Sequence, residues 1–215
     1  MIIKARPKVK VCGMREPENI REAEALGIDL MGFIFWPKSS RYVSERPAYL
    51  PTKCKRVGVF VDEHIEEVQR IAGEYALDIV QLHGHESPDY IRQLPLSCSL
   101  IKAFNIATID DFTACIPYEG LVDYFLFDTR KPLKEVGGRH LPGGTGEKFD
   151  WSVLRAYRGQ TPFLLSGGIG PDDALRIKAF SHPRYAGIDL NSRFELSPGL
   201  KDIDSIKGFL EKVKR

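Results

Sequence analysis

The sequence has no C-x-x-C pair, no apolar run of membrane-spanning length and almost no net charge. Its four cysteines, Cys12, Cys54, Cys98 and Cys115, are widely scattered, which removes the spacing expected of a zinc site or a thioredoxin-like redox pair. A transmembrane helix needs about 20 consecutive apolar residues, and no run approaches that. The opening "MIIKARPKVKVC" carries neither a long apolar stretch nor a small-residue cleavage site, so it does not read as a secretory signal. Reduced thiols in a cytoplasmic protein are the expectation. The formal charge is +2, with both signs spread along the chain; this offers no electrostatic case for a nucleic-acid or membrane partner. The basic end "KGFLEKVKR" reads as the solvated face and C-terminus of a helix, where cations are favoured.

What the sequence does have is alternation. Apolar, β-rich runs occur at Val9–Cys12, Leu30–Phe35, Arg56–Val61, Ile79–Leu82, Ser99–Phe104, Tyr124–Asp128, Phe163–Ser166 and Gly187–Leu190. Most hold few polar residues, as strands buried on both faces do. Helical patterns lie between them. Pro17 suits a first turn, Ile20, Ala23 and Leu26 follow at helical spacing, and Gly27 is a natural stop. Ile65, Val68, Ile71, Ala72 and Tyr75 form an amphipathic stripe, as do Ile203, Ile206, Leu210 and Val213 behind an Asp202 N-cap. Another helix opens at Pro171. "SERPAYLP", "SPDYIRQLP" and "TIDDFTACIP" are short and weakly patterned. Eight βα units predict a parallel sheet closed into a single (β/α)₈ TIM barrel spanning residues 1–215; the rival is an open doubly wound sheet, which usually has fewer strands. The Gly-, Pro- and charge-rich segment after the sixth strand is too long for a plain turn, and loops of that kind are usually functional or mobile.

In such a barrel the active groups project from the C-terminal strand ends. Those positions hold Cys12, Arg41, Gln81, His83, Lys102 and Asp128, then "LLSGGIG" and "IDLNSRFE". Ser166 to Gly170 ahead of Pro171 lets backbone N–H groups approach an anion beside a helix start. With Asp189 to Ser192, it matches the phosphate site between the last two loops of a barrel. Cys12 alone reads equally as a small buried hydrophobe, Asp128 as a loop cap and Arg41 as a solvated residue. Together, a thiol and a carboxyl at one mouth suit proton transfer at two atoms of one substrate, and Arg41 suits a bidentate grip on a carboxylate. His83 reads as a structural hydrogen-bonding residue; His64, His85, His140 and His182 read as surface residues. No set of residues has metal-ligand spacing.

The ordered pieces "KVCGM", "GFIFWPKSSRYVS", "RVGVFVD", "VQLHGHES", "FLFDT", "GGTGEKFDW", "LLSGGI" and "GIDLNSRFE" resemble the phosphoribosylanthranilate isomerases of tryptophan biosynthesis along essentially the whole chain. The resemblance implies a barrel that carries out an Amadori rearrangement without cofactor or metal: N-(5′-phosphoribosyl)anthranilate becomes 1-(2-carboxyphenylamino)-1-deoxyribulose 5-phosphate. It implies Cys12 as general base, Asp128 as general acid, Arg41 as the grip on the anthranilate carboxylate, and Gly167, Gly168, Asn191 and Ser192 as phosphate-binding positions. "GGTG", Gly143 to Gly146, looks like the part of the sixth loop that covers the site. The last motif more commonly has a serine pair and a glycine where Asn191-Ser192-Arg193 stands here, and the segment from Asp128 to Gly143 is longer than usual.

Ordinary pKa values, about 3.9 for Asp and 8.5 for Cys, lie on the wrong sides of neutrality for these roles. The site must raise the first, lower the second, or work from minor populations; Lys10 and Lys102 are candidates to help the thiolate. Three other readings remain. One is a barrel enzyme like indole-glycerol-phosphate synthase, which would use lysine and glutamates. Another is a phosphosugar-binding barrel without turnover, and the third is a Cys-His nucleophile with His83. Either a monomer or a homodimer fits.

Overall fold

The computed structural model describes residues 6–95, 97–129, 135–136, 139–140 and 151–214. Eight parallel strands close a barrel: β1 (Lys8–Cys12), β2 (Leu30–Ile34), β3 (Lys55–Phe60), β4 (Ile79–Leu82), β5 (Ser99–Asn105), β6 (Tyr124–Asp128), β7 (Phe163–Ser166) and β8 (Tyr185–Leu190). They run in sequence order around the ring, and β8 pairs with β1 from Lys8↔Gly187 to Val11↔Leu190. The expected strands all form, with boundaries displaced by one or two residues.

Alternation along each strand sets up two cores. Leu30, Val57, Ile79, Ile101, Leu126 and Leu164 point inward and fill the barrel axis. The intervening residues, such as Val9, Val11, Phe33, Val80 and Phe125, point outward and join the layer beneath the helices. Each such large side chain is worth roughly 1.5–3 kcal/mol of burial. Above the apolar axial plug, several inward positions turn polar, among them Gln81, Asp128, Ser166 and Asp189.

The helical stripes dock where expected. Helices α1 (Pro17–Ala25) and α2 (Ile65–Glu74) bury Ile20 and Ala23, and Val68, Ile71 and Ala72, respectively. Short α3 (Pro88–Gln93) follows β4, α4 (Ala174–Ala179) follows a 3₁₀ turn at Pro171–Asp173, and α5 (Ile203–Lys214) ends the chain. Asp202 Oδ1 accepts from the Ser205 N–H at 3.0 Å, the expected cap. Two connections depart from the helical pattern. "TIDDFTACIP" lies in a 3₁₀ helix, Ile109–Tyr118. "SERPAYLP" is irregular, because Pro47 and Pro51 withhold donors and the segment is held instead by α1: Glu24 accepts from the Thr52 N–H at 2.6 Å and from the Lys53 N–H. After β6, Glu135–Val136 and Arg139–His140 make a small antiparallel pair; "GGTG", Gly143 to Gly146, and the His140 side chain lie outside the described residues. Among the described residues, no helix is long and apolar enough to cross a membrane.

Candidate active site

A cavity of about 310 Å³ opens at the C-terminal ends of the strands, lined among others by Cys12, Arg41, Gln81, Gly167, Asp189 and Asn191. Cys12 ends β1 facing inward and is buried. Gly32 on β2 leaves the room its sulfur occupies, since a Cβ there would stand 2.7 Å from Sγ. Asp128 ends β6, also inward by alternation with Leu126, and is 1% exposed. Its register partner on β7 is Ser166, which lines the cavity with Gly167. The thiol and the carboxyl therefore stand at one mouth, with β7 and β8 between their strands.

A polar arc runs through Ser166, Asp189 and Lys10. Ser166 Oγ donates to Asp189 Oδ2 at 3.2 Å, and Lys10 Nζ donates to Asp189 Oδ1 at 2.9 Å. Lys10 lies two residues before Cys12 on the same strand face and is wholly buried. Burial pulls its ammonium down, but Asp189 and Cys12 outweigh that and hold it above the ordinary lysine value. Burial pushes the Cys12 thiol up; Lys10 and Lys201 pull it down without cancelling that effect, and Asp189 adds to it. Lys10 and Lys201 thus reduce the cost that burial places on the thiolate without removing it, and Cys12 stays a thiol at neutral pH. Of the two lysines proposed to help it, only Lys10 faces in. Lys102 alternates outward, donating to Gly84 O at 2.7 Å and Glu86 Oε2 at 3.0 Å, so it is not part of the site.

Arg41, in the loop after β2, is not a solvated residue. Its Nε donates to Glu195 Oε1 at 2.9 Å and its Nη2 to Glu195 Oε2 at 2.5 Å. Lys201 Nζ donates to Glu195 Oε1 at 2.6 Å and to Asn191 Oδ1 at 2.8 Å. Burial pushes the Glu195 carboxyl up, but the hydrogen bonds from Arg41 and Lys201 outweigh it and hold it below the ordinary carboxylate range. Burial prevails for Lys201, whose ammonium is pulled down. Asn19 of α1 fixes Lys201 from behind, its Nδ2 donating to the Lys201 carbonyl and its Oδ1 accepting the Lys201 N–H. One buried ion cluster therefore underlies both Arg41 and the Asn191 loop.

Gly167, Gly168, Asn191 and Ser192 meet along one wall of the cavity. Two details differ from the sequence reading. Asp189 belongs to β8 and to the Lys10 pair, not to the anion loop. The helix start at Pro171 is already capped, since Asp173 Oδ2 accepts the Gly170 N–H at 2.9 Å, so an anion would rely on the two glycine and asparagine loops. Arg193 is exposed and turns back over the first of these, its Nη1 donating to Gly168 O at 3.3 Å. His83 hydrogen-bonds Gln81, Nδ1 to Nε2, at 3.0 Å, and it lines the cavity as well. His182, read as a surface residue, is buried: Arg184 N–H donates to its Nδ1 at 3.0 Å, and its Nε2 meets Tyr157 O at 3.1 Å. Glu195 and Lys201 escaped the strand-end reading because they lie beyond β8. The signal was the turn Pro198-Gly199 between them, which pairs Glu195 with Lys201 across a small antiparallel ribbon. Among the described residues, no group of three or more His, Cys, Asp or Glu is placed to hold a metal ion.

A closed (β/α)₈ barrel with a cavity at the C-terminal strand ends, a buried thiol and carboxyl at its mouth and a glycine-rich wall has the layout of a barrel enzyme. The family model for N-(5′-phosphoribosyl)anthranilate (PRA) isomerase matches residues 9–212, and the chain belongs to that family. It is 52% identical to the N-(5′-phosphoribosyl)anthranilate isomerase of Parabacteroides distasonis over 95% of this chain and 92% of that protein. The crystal structure of the Thermotoga maritima phosphoribosyl anthranilate isomerase aligns with a TM-score of 0.80 at 32% identity, covering 97% of this chain and 99% of that one. A phosphoribosyl anthranilate isomerase in complex with reduced 1-(o-carboxyphenylamino)-1-deoxyribulose 5-phosphate aligns at 0.77 and 31% identity, covering 97% and 99%.

Proposed function

We propose that this site isomerises N-(5′-phosphoribosyl)anthranilate to 1-(2-carboxyphenylamino)-1-deoxyribulose 5-phosphate in tryptophan biosynthesis. Asp128, protonated, gives a proton to the ribose ring oxygen; the ring opens to a Schiff base. Cys12, as thiolate, removes the proton from C2′, and the enolamine tautomerises to the ketone. Each proton transfer contributes on the order of a hundred- to ten-thousand-fold in rate. Arg41 grips the anthranilate carboxylate, and Gly167, Gly168, Asn191 and Ser192 take the phosphate. Holding both ends supplies much of the remaining acceleration by positioning. Lys10 offsets the charge of the thiolate. No step needs a cofactor or metal. The reading takes residues 1–215 as a single barrel domain acting in the cytoplasm, as monomer or homodimer, with neither nucleic acid nor membrane as partner.

The observation that carries it is the meeting of Cys12, Asp128's neighbour Ser166, Arg41 and Asn191 around one cavity. The test follows the loss of substrate fluorescence. Cys12→Ser and Asp128→Asn should each nearly abolish turnover while the reduced product still binds. Full activity in both variants would show the acid–base assignment to be wrong.

A further inference from the structure

Gln81 is the one inward-facing residue of β4 above Ile79, over the apolar axial cluster that includes Val57, Ile79 and Ile101. It is 1% exposed and lines the cavity with Cys12 and His83. Its Nε2 is engaged by His83 Nδ1 at 3.0 Å, while its Oε1 is buried without a hydrogen-bond partner. Buried amide oxygens are nearly always paired, because an unmade bond forfeits the hydration that water gave it. Turning the amide over does not remove the difficulty. Oε1 would then accept from a protonated His83 Nδ1, and Nε2 would be the unpaired atom. In either orientation one amide heteroatom is left for whatever fills the cavity.

The chemistry of that partner follows. Gln81 is neutral, and on this wall its inward neighbours include Val59 and Ile34; the cation of β5, Lys102, points away. The wall suits an uncharged part of the ligand, whereas the charged ends have Arg41 and the Asn191 loop. A group that donates and accepts satisfies either amide orientation, and a hydroxyl does both. We propose that Gln81 is a specificity-determining contact that hydrogen-bonds a ribose hydroxyl of the substrate. This rests on the functional reading above. It makes the sugar, not only the two anions, a recognised part of the ligand.

The test compares Gln81→Met with the wild-type chain against three probes: reduced 1-(o-carboxyphenylamino)-1-deoxyribulose 5-phosphate, N-methylanthranilate and inorganic phosphate. The variant should bind the sugar-bearing probe about tenfold more weakly and the other two as the wild type does. Retained binding of those two also reports an intact barrel. In turnover, KM should rise about tenfold with kcat nearly kept, because the contact is present before and during the reaction. The melting temperature should change little, since removal of the unpaired buried oxygen offsets the lost bond to His83. Unchanged affinity for all three probes would overturn the proposal, as would equal weakening for N-methylanthranilate, which would assign Gln81 to the aniline nitrogen. An equal loss for every probe with a lowered melting temperature would make Gln81 a structural residue. Failure of the wild-type chain to bind the sugar-bearing probe at all would instead overturn the functional reading, and this inference with it.

Discussion

Arg41 and Glu195, 154 positions apart in the chain, are joined by two parallel hydrogen bonds from Nε and Nη2, while Nη1 donates to Ser40 Oγ at 3.4 Å. Glu195 also carries Lys201, so a single carboxylate holds two cations. Glu195→Gln keeps the shape and removes the charge. The Arg41 guanidinium and the buried Lys201 ammonium would remain without a counter-ion, and the cost should be about 3 kcal/mol. Urea unfolding at neutral pH measures it; a loss below about 0.5 kcal/mol would mean that the cluster is held by packing alone.

The same carboxylate sets an acid limb. Its pKa in the folded chain lies below the unfolded value of about 4.3. Its stabilisation is therefore complete above that unfolded value and is lost as the pH falls through the folded one. Between pH 5 and pH 3, wild-type stability should fall more steeply than that of Glu195→Gln, and the two curves should converge at low pH. Parallel curves would assign the acid sensitivity to other carboxylates.

Cys12 is held above the ordinary thiol value by burial, against the pull of Lys10. Only a minor thiolate fraction then exists at neutral pH, and it grows with pH. Carbamidomethylation by iodoacetamide reports that fraction alone, and should climb with a log slope of about one above pH 7, show no plateau before about pH 8.5 and be blocked by the reduced product. kcat/KM should not share that slope, because turnover also requires Asp128 in its protonated form. A flat alkylation profile from pH 7 to pH 9 would mean that the thiolate is already formed.

Gly167 and Gly168 make a matched pair. Both have positive φ, +94° and +67°, so an alanine at either costs on the order of 1–2 kcal/mol of backbone strain. At Gly168 the new methyl meets open space, whereas at Gly167 it would stand 2.5 Å from the Thr129 nitrogen and 2.8 Å from Asp128 Oδ1. Gly167→Ala should therefore lower kcat at least tenfold more than Gly168→Ala by displacing the acid, and should lower the melting temperature further because the Thr129 backbone must shift. Equal kcat values would separate Asp128 from the chemistry.

The barrel was legible because each strand is a short apolar run and each long helix has an apolar stripe; those periodicities survive in any packing. The strand ends pointed to Cys12, Asp128 and Arg41 for the same reason. Direction was not legible where two lysines both sat in apolar runs. Lys10 turns in and Lys102 turns out because of where Asp189 and Glu86 fall in three dimensions, 179 and 16 residues away. Glu195 and Lys201 look like loop charges until the ribbon after β8 folds under the mouth. His182 looked like a surface residue because its partners, the Arg184 N–H and Tyr157 O, are backbone groups that any sequence could offer.

Lys10 yields the sharpest separation of fold from chemistry. Its ammonium is wholly buried between Asp189 and Cys12, so Lys10→Met leaves Asp189 with the Ser166 hydroxyl and no cation. An uncompensated buried carboxylate costs about 3–5 kcal/mol. Adding Asp189→Leu should restore most of that stability, because an apolar pair can replace a buried ion pair at little cost. Activity should not return with it. The thiolate would have lost the Lys10 cation, so kcat/KM at pH 7 should stay at least tenfold below wild type while alkylation of Cys12 by iodoacetamide rises only at higher pH. Urea denaturation and an alkylation pH profile on the double variant decide between the roles. Recovery of both stability and wild-type activity would reduce Lys10 to a structural partner of Asp189, and recovery of stability alone, with a displaced alkylation profile, fits an ammonium that eases deprotonation of Cys12.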